Sequence, residues 1–140
     1  MITRIEHLNI TVPDIDAAIL FLKIVAPDFE VRQDEHLSDS YRWVHIGNDD
    51  YYIALQEAHL DADPKNRLQA YTNYGVNHVA VVVTDIKEIE QKLLAGGYHK
   101  GINTPQEKYR KRAYYYNSAG LEWELVEYLS IRKEEKYLYE

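Results

Sequence analysis

Near the start of the chain Leu8, Ile10 and Val12 alternate with His7, Asn9 and Thr11, the period of two of a strand with an apolar back and a polar front. His7 stands on the polar front. Asp14 follows, a residue whose carboxylate caps free backbone amides, and Ile15, Ile19 and Leu22 then recur at helical spacing. A helix is therefore predicted from Asp14, with those three on its buried face. Strand patterns return around Phe29 to Arg32, at Tyr41 to Ile46 and at Tyr51 to Gln56, and Asn48-Asp49-Asp50 is the turn between the last two.

Some seventy residues later the same order comes back. Ile5-Glu6-His7-Leu8-Asn9-Ile10-Thr11-Val12-Pro13-Asp14-Ile15 aligns with Val76-Asn77-His78-Val79-Ala80-Val81-Val82-Val83-Thr84-Asp85-Ile86. His, Val, Asp and Ile are identical, and three further positions exchange one aliphatic residue for another. A repeat of this kind governs the whole architecture and has to be read before local detail. In the second unit Asp85 is the predicted cap, Ile86, Ile89 and Leu93 the buried stripe, and Gly96-Gly97 the left-handed stop. Strands are predicted at Arg112 to Tyr116 and Leu121 to Tyr128, joined by Asn117-Ser118-Ala119-Gly120, with a vaguer one near His99 to Asn103. At nearly the same offset Arg42 falls on Arg112, Leu55 on Leu125 and Glu57 on Glu127. Each unit thus reads as strand, helix, then strands, with residues 1–60 as unit one, 61–74 as a polar linker, 75–128 as unit two and 129–140 as an extension.

The chain has 140 residues, enough for one ordinary domain with a real core. No apolar run approaches a membrane span, and strand-like sequence begins within a few residues of Met1, so a soluble, cytoplasmic protein without a signal peptide is expected, with no membrane partner. It contains no cysteine, so any metal has to be held by nitrogen and oxygen ligands. The net charge of −7 opposes a polyanion, and the basic run from Lys108 to Arg112 is too short to reverse that. Nucleic acid is not an expected partner. Thirteen tyrosines against two phenylalanines suit strands that face a partly wet cavity, although most such rings simply line strands or interfaces.

Three segments carry a family resemblance: Ile5-Glu6-His7-Leu8-Asn9-Ile10-Thr11-Val12-Pro13-Asp14, Asn77-His78-Val79-Ala80-Val81, and Gly120-Leu121-Glu122-Trp123-Glu124-Leu125. Together they resemble the vicinal oxygen chelate superfamily, which includes glyoxalase I, methylmalonyl-CoA epimerase, extradiol dioxygenases and bleomycin-resistance proteins. The likeness runs to about Tyr128. Its last segment is similar to the family's closing glycine-x-x-x-Glu-Leu strand, with Asn117-Ser118 where Asp-Pro is usual. The resemblance implies an α+β fold of two tandem βαβββ units forming a curved mixed sheet with a concave cleft. A homodimer and a small-molecule substrate are implied too.

Metal-binding members of that superfamily take one ligand from the first and one from the last strand of each unit, and the matching positions here are His7, Ala54, His78 and Glu124. Three of the four are donors. The resemblance therefore implies one divalent ion (Fe2+, Mn2+, Ni2+, Co2+ or Zn2+) on His7, His78 and Glu124, the two-histidine, one-carboxylate set that leaves positions open for a bidentate oxygen-bearing substrate. Gln56 shares the strand face of Ala54 by alternation and is a candidate substrate contact. Extradiol enzymes carry a tyrosine about ten residues before the glutamate, and Tyr114 stands there, so Glu124 and Tyr114 are the candidate catalytic residues. Arg42 and Arg112 either clamp an anionic substrate or are ordinary solvated strand residues. Asp14 and Asp85 are caps, Trp123 is core, and His36, His45, His59 and His99 have no assigned role.

Two functions remain open at this point. One is a metal-dependent enzyme, dioxygenase-like or a lyase or isomerase of glyoxalase type, although loss of a carboxylate at Ala54 counts against a true glyoxalase I. The other is a metal-free ligand-binding protein of the bleomycin-resistance type. Residues 129–140 form a short helix over the sheet, a contact with a second subunit, or a frayed tail.

Overall fold

The computed structural model describes residues 1–36, 38–59 and 69–138. Most of the expected linker, residues 61–68, lies outside the described residues. The chain divides into two compact units, Met1–Arg67 and Leu68–Glu140.

In unit 1, strand β1 (His7–Thr11) leads into helix α1 (Ile15–Val25), followed by β2 (Glu30–His36), β3 (Arg42–Gly47) and β4 (Tyr52–Gln56). Asp14 starts the helix as the sequence predicts, its side chain accepting from the Ala17 amide at 2.9 Å. The four strands form one mixed sheet in the order β1-β4-β3-β2, with β1 and β4 parallel. Alternation sends Val44, Ile46, Ile53 and Leu55 to the back, where α1 covers them with Ile15, Ala18, Phe21, Leu22 and Val25. Ile19 is only half-buried and sits at the margin of that stripe. Burying each of these larger side chains contributes about 1.5–3 kcal/mol, so the helix is held mainly by its face and the cap sets where it begins.

Unit 2 repeats the scheme with β5 (His78–Val82), α2 (Ile86–Ala95), β6 (Arg110–Tyr116) and β7 (Glu122–Tyr128), the sheet running β5-β7-β6. Asp85 caps α2 through the Glu88 amide at 3.0 Å, and Ile86, Ile89 and Leu93 form the buried stripe as predicted. Of the two glycines at the helix end, Gly96 is still helical and Gly97, at φ +80, makes the left-handed stop. The strand expected near His99 to Asn103 is reduced to a single bridge, Lys100 to Tyr115. Gly101 weakens a strand interior and Pro105 has no amide to give to a ladder, so the pairing does not extend beyond that bridge.

The α+β class therefore holds, with sheets of four and three strands. After β7 the chain forms a short helix, α3 (Lys133–Lys136), with Tyr137 edge-on to Tyr128 at 6.4 Å. Among the described residues no helix is long and apolar enough to cross a membrane.

Candidate functional site

Each sheet has a front, opposite its helix, and the candidate residues lie there for reasons of alternation. In unit 1 the front carries His7 and Asn9 from β1, Tyr52, Ala54 and Gln56 from β4, and Trp43 and His45 from β3. Their rings form a continuous series. His7 stacks on Tyr52 at 4.7 Å and 10°, His45 lies 4.6 Å from Tyr52, and Trp43 lies 4.8 Å from His45. The Arg32 guanidinium sits over the same Tyr52 ring at 5.3 Å, and Glu6 holds His7 Nδ1 at 2.6 Å. Burial, followed by repulsion from His7 and Arg32, lowers the His45 pKa and so favours the neutral ring.

The unit 2 front gathers the titratable groups. His78 lies beside Glu122 in the parallel β5–β7 register, and Tyr114 lies opposite Glu124 in the antiparallel β6–β7 register. His78 Nε2 is 3.2 Å from Glu124 Oε2, and the Tyr114 ring meets the His78 ring edge-on at 5.6 Å. Tyr114 thus shares the face of Glu124, a matter the sequence left to the turn. Burial, and then hydrogen bonding to Glu124, raises the Tyr114 pKa, so its hydroxyl keeps its proton.

Both carboxylates are nearly inaccessible, Glu122 at 3% and Glu124 at 9% exposure. Burying a charge is costly unless a partner balances it. Arg112 reaches Glu124 only at 3.5 Å, the outer limit of a hydrogen bond, while it binds Glu107 at 2.7 Å. Glu107 also takes Arg110, at 2.8 Å. The guanidinium of Arg112 is therefore committed first to Glu107, and Glu124 is left with unfilled acceptor capacity facing His78.

The parallel registers show how the two units correspond. Asn9 pairs with Ala54 as Ala80 pairs with Glu124, and His7 with Tyr52 as His78 with Glu122. Ala54 and Glu124 are thus structural equivalents. The arginines are not. Asn48 to Tyr51 close the β3–β4 hairpin, whereas Asn117 to Leu121 close the β6–β7 hairpin with one residue more. That single residue moves the antiparallel partner by one, and a shift of one reverses the face. Arg42 consequently turns to the helix side, where it binds Asp34 at 2.8 and 2.9 Å and Asp16 of α1 at 2.9 Å. Arg112 turns to the front. Gln56 stands on the unit 1 front, opposite Trp43.

Three site residues escape sequence reasoning. Glu122 carries a signal that was available, since it stands two residues before Glu124 and alternation puts it on the same face. Glu107 and Tyr71 lie in irregular segments with no periodicity to read. The Tyr71 hydroxyl bonds to Glu122 Oε1 and lies 3.1 Å from His78 Nδ1.

No protein-family model matches the sequence, and no curated protein matches it. Solved structures do. A glyoxalase family protein from Bacillus cereus superposes with a TM-score of 0.76 at 18% identity, over 93% of this chain and 97% of that one. A glyoxylase/bleomycin resistance protein/dioxygenase domain from Frankia sp. EAN1pec gives 0.73 at 15%, over 98% and 100%. The fosfomycin resistance protein FosX from Listeria monocytogenes gives 0.71 at 18%, over 97% and 99%. The fold is that of the vicinal oxygen chelate superfamily. FosX itself has been crystallised with Mn(II) and sulfate, and a glutamate-to-glutamine variant with Mn(II) and 1S,2S-dihydroxypropylphosphonic acid.

Whether a divalent ion suits this vicinal oxygen chelate fold depends on the donors present. Among the described residues no group of three or more histidine, aspartate and glutamate side chains meets the spacing of a metal site. Unit 2 supplies a pair, His78 and Glu124, whose nitrogen and oxygen are of the type that binds divalent transition ions. The pair fits such an ion chemically and leaves the rest of the coordination to other donors.

Proposed function

We propose that this chain is a small-molecule metalloenzyme in which His7, His78 and Glu124 hold one divalent ion and a bidentate oxygen-bearing substrate binds beside it. The observation that carries the reading is the approach of His78 Nε2 to Glu124 Oε2 at 3.2 Å on the unit 2 front. Two buried carboxylates stand near one imidazole, and the nearest guanidinium is already engaged by Glu107, so the local charge favours a cation. His7 comes from the sequence resemblance, as the residue equivalent to His78 on β1.

When bound, the ion would act as a Lewis acid on a substrate oxygen. Arg112 would orient an anionic substrate group with whichever donors Glu107 and Glu124 leave, and Tyr114 would present a proton at the oxygen beside Glu124. Arg42 has no part in this proposal, because Asp34 and Asp16 take its donors. Dioxygenase-like and lyase or isomerase chemistry both begin with the same bidentate binding. Mn2+ is the first ion to test, given the FosX complexes.

The test is metal content of untagged protein, followed by calorimetric titration with Mn2+. About one ion per chain is expected, with binding weakened at least about tenfold in His7→Ala, His78→Ala and Glu124→Ala, the scale on which lost ligands and their supports act. Less than about a tenth of an ion per chain, with no uptake on titration, would overturn the reading. A metal-free binding protein is the second reading, favoured by the ring series Trp43, His45, Tyr52 and His7 on the unit 1 front, which offers aromatic surface where Ala54 offers no donor. In that case a flat ligand would co-purify with metal-free protein.

A further inference from the structure

Tyr71 has a backbone that resists its own side chain. At φ +63 it is the non-glycine residue in the left-handed region among those described, a placement that is uncommon and persists only where surroundings enforce it. The surroundings here do enforce it. The Tyr71 amide donates to Asn77 Oδ1 at 2.6 Å, the Asn73 and Thr72 amides donate to the Gln69 carbonyl at 3.0 and 3.2 Å, and the Gln69 amide donates to Asn73 Oδ1 at 2.8 Å. The residue is 62% exposed, so its ring gains little from burial. What the turn secures is the hydroxyl, set between Glu122 Oε1 and His78 Nδ1.

A hydroxyl has one proton to give. The Tyr71 hydroxyl donates to Glu122 Oε1, so its single proton is spent there. The tyrosine oxygen is then an acceptor toward His78, and His78 Nδ1 has to be the donor. A neutral imidazole that carries its proton on Nδ1 has its lone pair on Nε2. Nε2 is the nitrogen that faces Glu124 at 3.2 Å. In that tautomer a lone pair and a carboxylate confront each other at 3.2 Å, an arrangement that a bound cation would relieve.

We propose that Tyr71 is a positioning residue, which together with Glu122 fixes His78 as the Nδ1–H tautomer and aims its Nε2 lone pair at Glu124. This rests on the proposed metal pair for its purpose but not for its test. The first measurement is long-range 1H–15N NMR of the metal-free protein at an alkaline pH where the imidazole is neutral. The expected result is a His78 ring protonated on Nδ1, moving toward a mixture of tautomers in Tyr71→Phe, which keeps the ring and removes only the hydroxyl. Asn77→Ala, which frees the Tyr71 amide, should shift the tautomer in the same direction while leaving the hydroxyl chemically intact.

The second measurement is Mn2+ affinity, expected to fall about tenfold in Tyr71→Phe with little change in thermal unfolding of the apo-protein. A wild-type His78 protonated on Nε2, or a Tyr71→Phe spectrum with the tautomer unchanged, would overturn the proposal. An Nδ1–H tautomer in a protein that takes up no Mn2+ would sink the metalloenzyme reading and leave the positioning role standing.

Discussion

Glu107 binds Arg112 at 2.7 Å while Glu124, 3.5 Å from the same guanidinium, receives only a marginal bond. The shorter contact decides which carboxylate is neutralised. Glu107 is largely buried and holds Arg110 as well, so two cations share one anion there, and Glu124 is left on the front of β7 with the longer contact.

Acid sensitivity follows from that arrangement. Burial pushes the Glu107 carboxyl up, but the bonds from Arg110 and Arg112 together overcome it and leave the pKa below the ordinary carboxylate value. A carboxyl whose pKa is lower folded than unfolded adds stability above the unfolded value, and that stability is lost as pH falls through the folded one. Glu107→Gln should therefore destabilise the protein by about 1–3 kcal/mol at pH 7, the scale of hydrogen bonds to charged groups. From about pH 4, the unfolded carboxylate range, downward the gap should narrow, closing once pH has fallen below the lower folded value. Urea unfolding of both proteins at the two pH values checks this, and an equal gap at both would tell against it.

The two arginines separate stability from binding. Arg42 ties β2 and β3 to α1 through Asp34 and Asp16, whose side chains are substantially exposed, so Arg42→Ala should cost only about 1 kcal/mol and leave ligand binding alone. Arg112→Ala should weaken binding of a small divalent anion such as sulfate to the Mn2+-loaded protein at least about fivefold. Calorimetry on both variants decides. Loss of sulfate binding in Arg42→Ala, or none in Arg112→Ala, would reverse the assignment.

Those arginines also mark where the sequence stops being legible. Helix caps, buried stripes and strands declare themselves locally, through an aspartate before an apolar period, as at Asp14 and Asp85, and so they can be read without coordinates. The equivalence of Ala54 with Glu124 was readable too, because a parallel pairing preserves the repeat offset. Arg42 and Arg112 match at almost that offset, yet the extra residue in the Asn117 to Leu121 turn gives them opposite faces. An antiparallel register depends on turn length, and alignment alone does not weigh it. Tyr71 lies further out of reach, since its role depends on a left-handed turn built by asparagines, and no periodic signal announces it.

Shortening that turn should be severe. Deleting Ala119 would force either a bulge or a shift of β6 that sends Tyr115 and Ala113 to the front and drives Arg112 and Tyr114 into the core under α2. Asn117 now accepts from the Ala119 and Leu121 amides at 3.0 Å each, and both bonds would be disturbed. Loss of a cooperative thermal transition is expected. A variant that melts as sharply as the parent, within about 2 °C, would show that turn length does not set the register, because a burial error of this kind amounts to several kcal/mol.

Gly101 and Gly97 offer a controlled pair, since each should suffer from a methyl group for a different reason. A Cβ on Gly101 would come within 2.9 Å of Tyr114 Cβ and 3.3 Å of Glu122 Oε2, and the Gly101 amide now donates to the Tyr114 carbonyl at 2.7 Å. Gly101→Ala should thus push the bridging segment away from β6, cost about 1–3 kcal/mol as overpacking does, and disturb the carboxylate that holds Tyr71. A Cβ on Gly97 would meet nothing, and the penalty there is the left-handed φ alone, about 1 kcal/mol. If the site on β7 depends on the close approach of Gly101, Mn2+ affinity should fall in Gly101→Ala and hold in Gly97→Ala even after both are compared at temperatures of equal folded fraction. Equal affinities in the two variants would mean that the approach of Gly101 serves packing and has no bearing on Glu122.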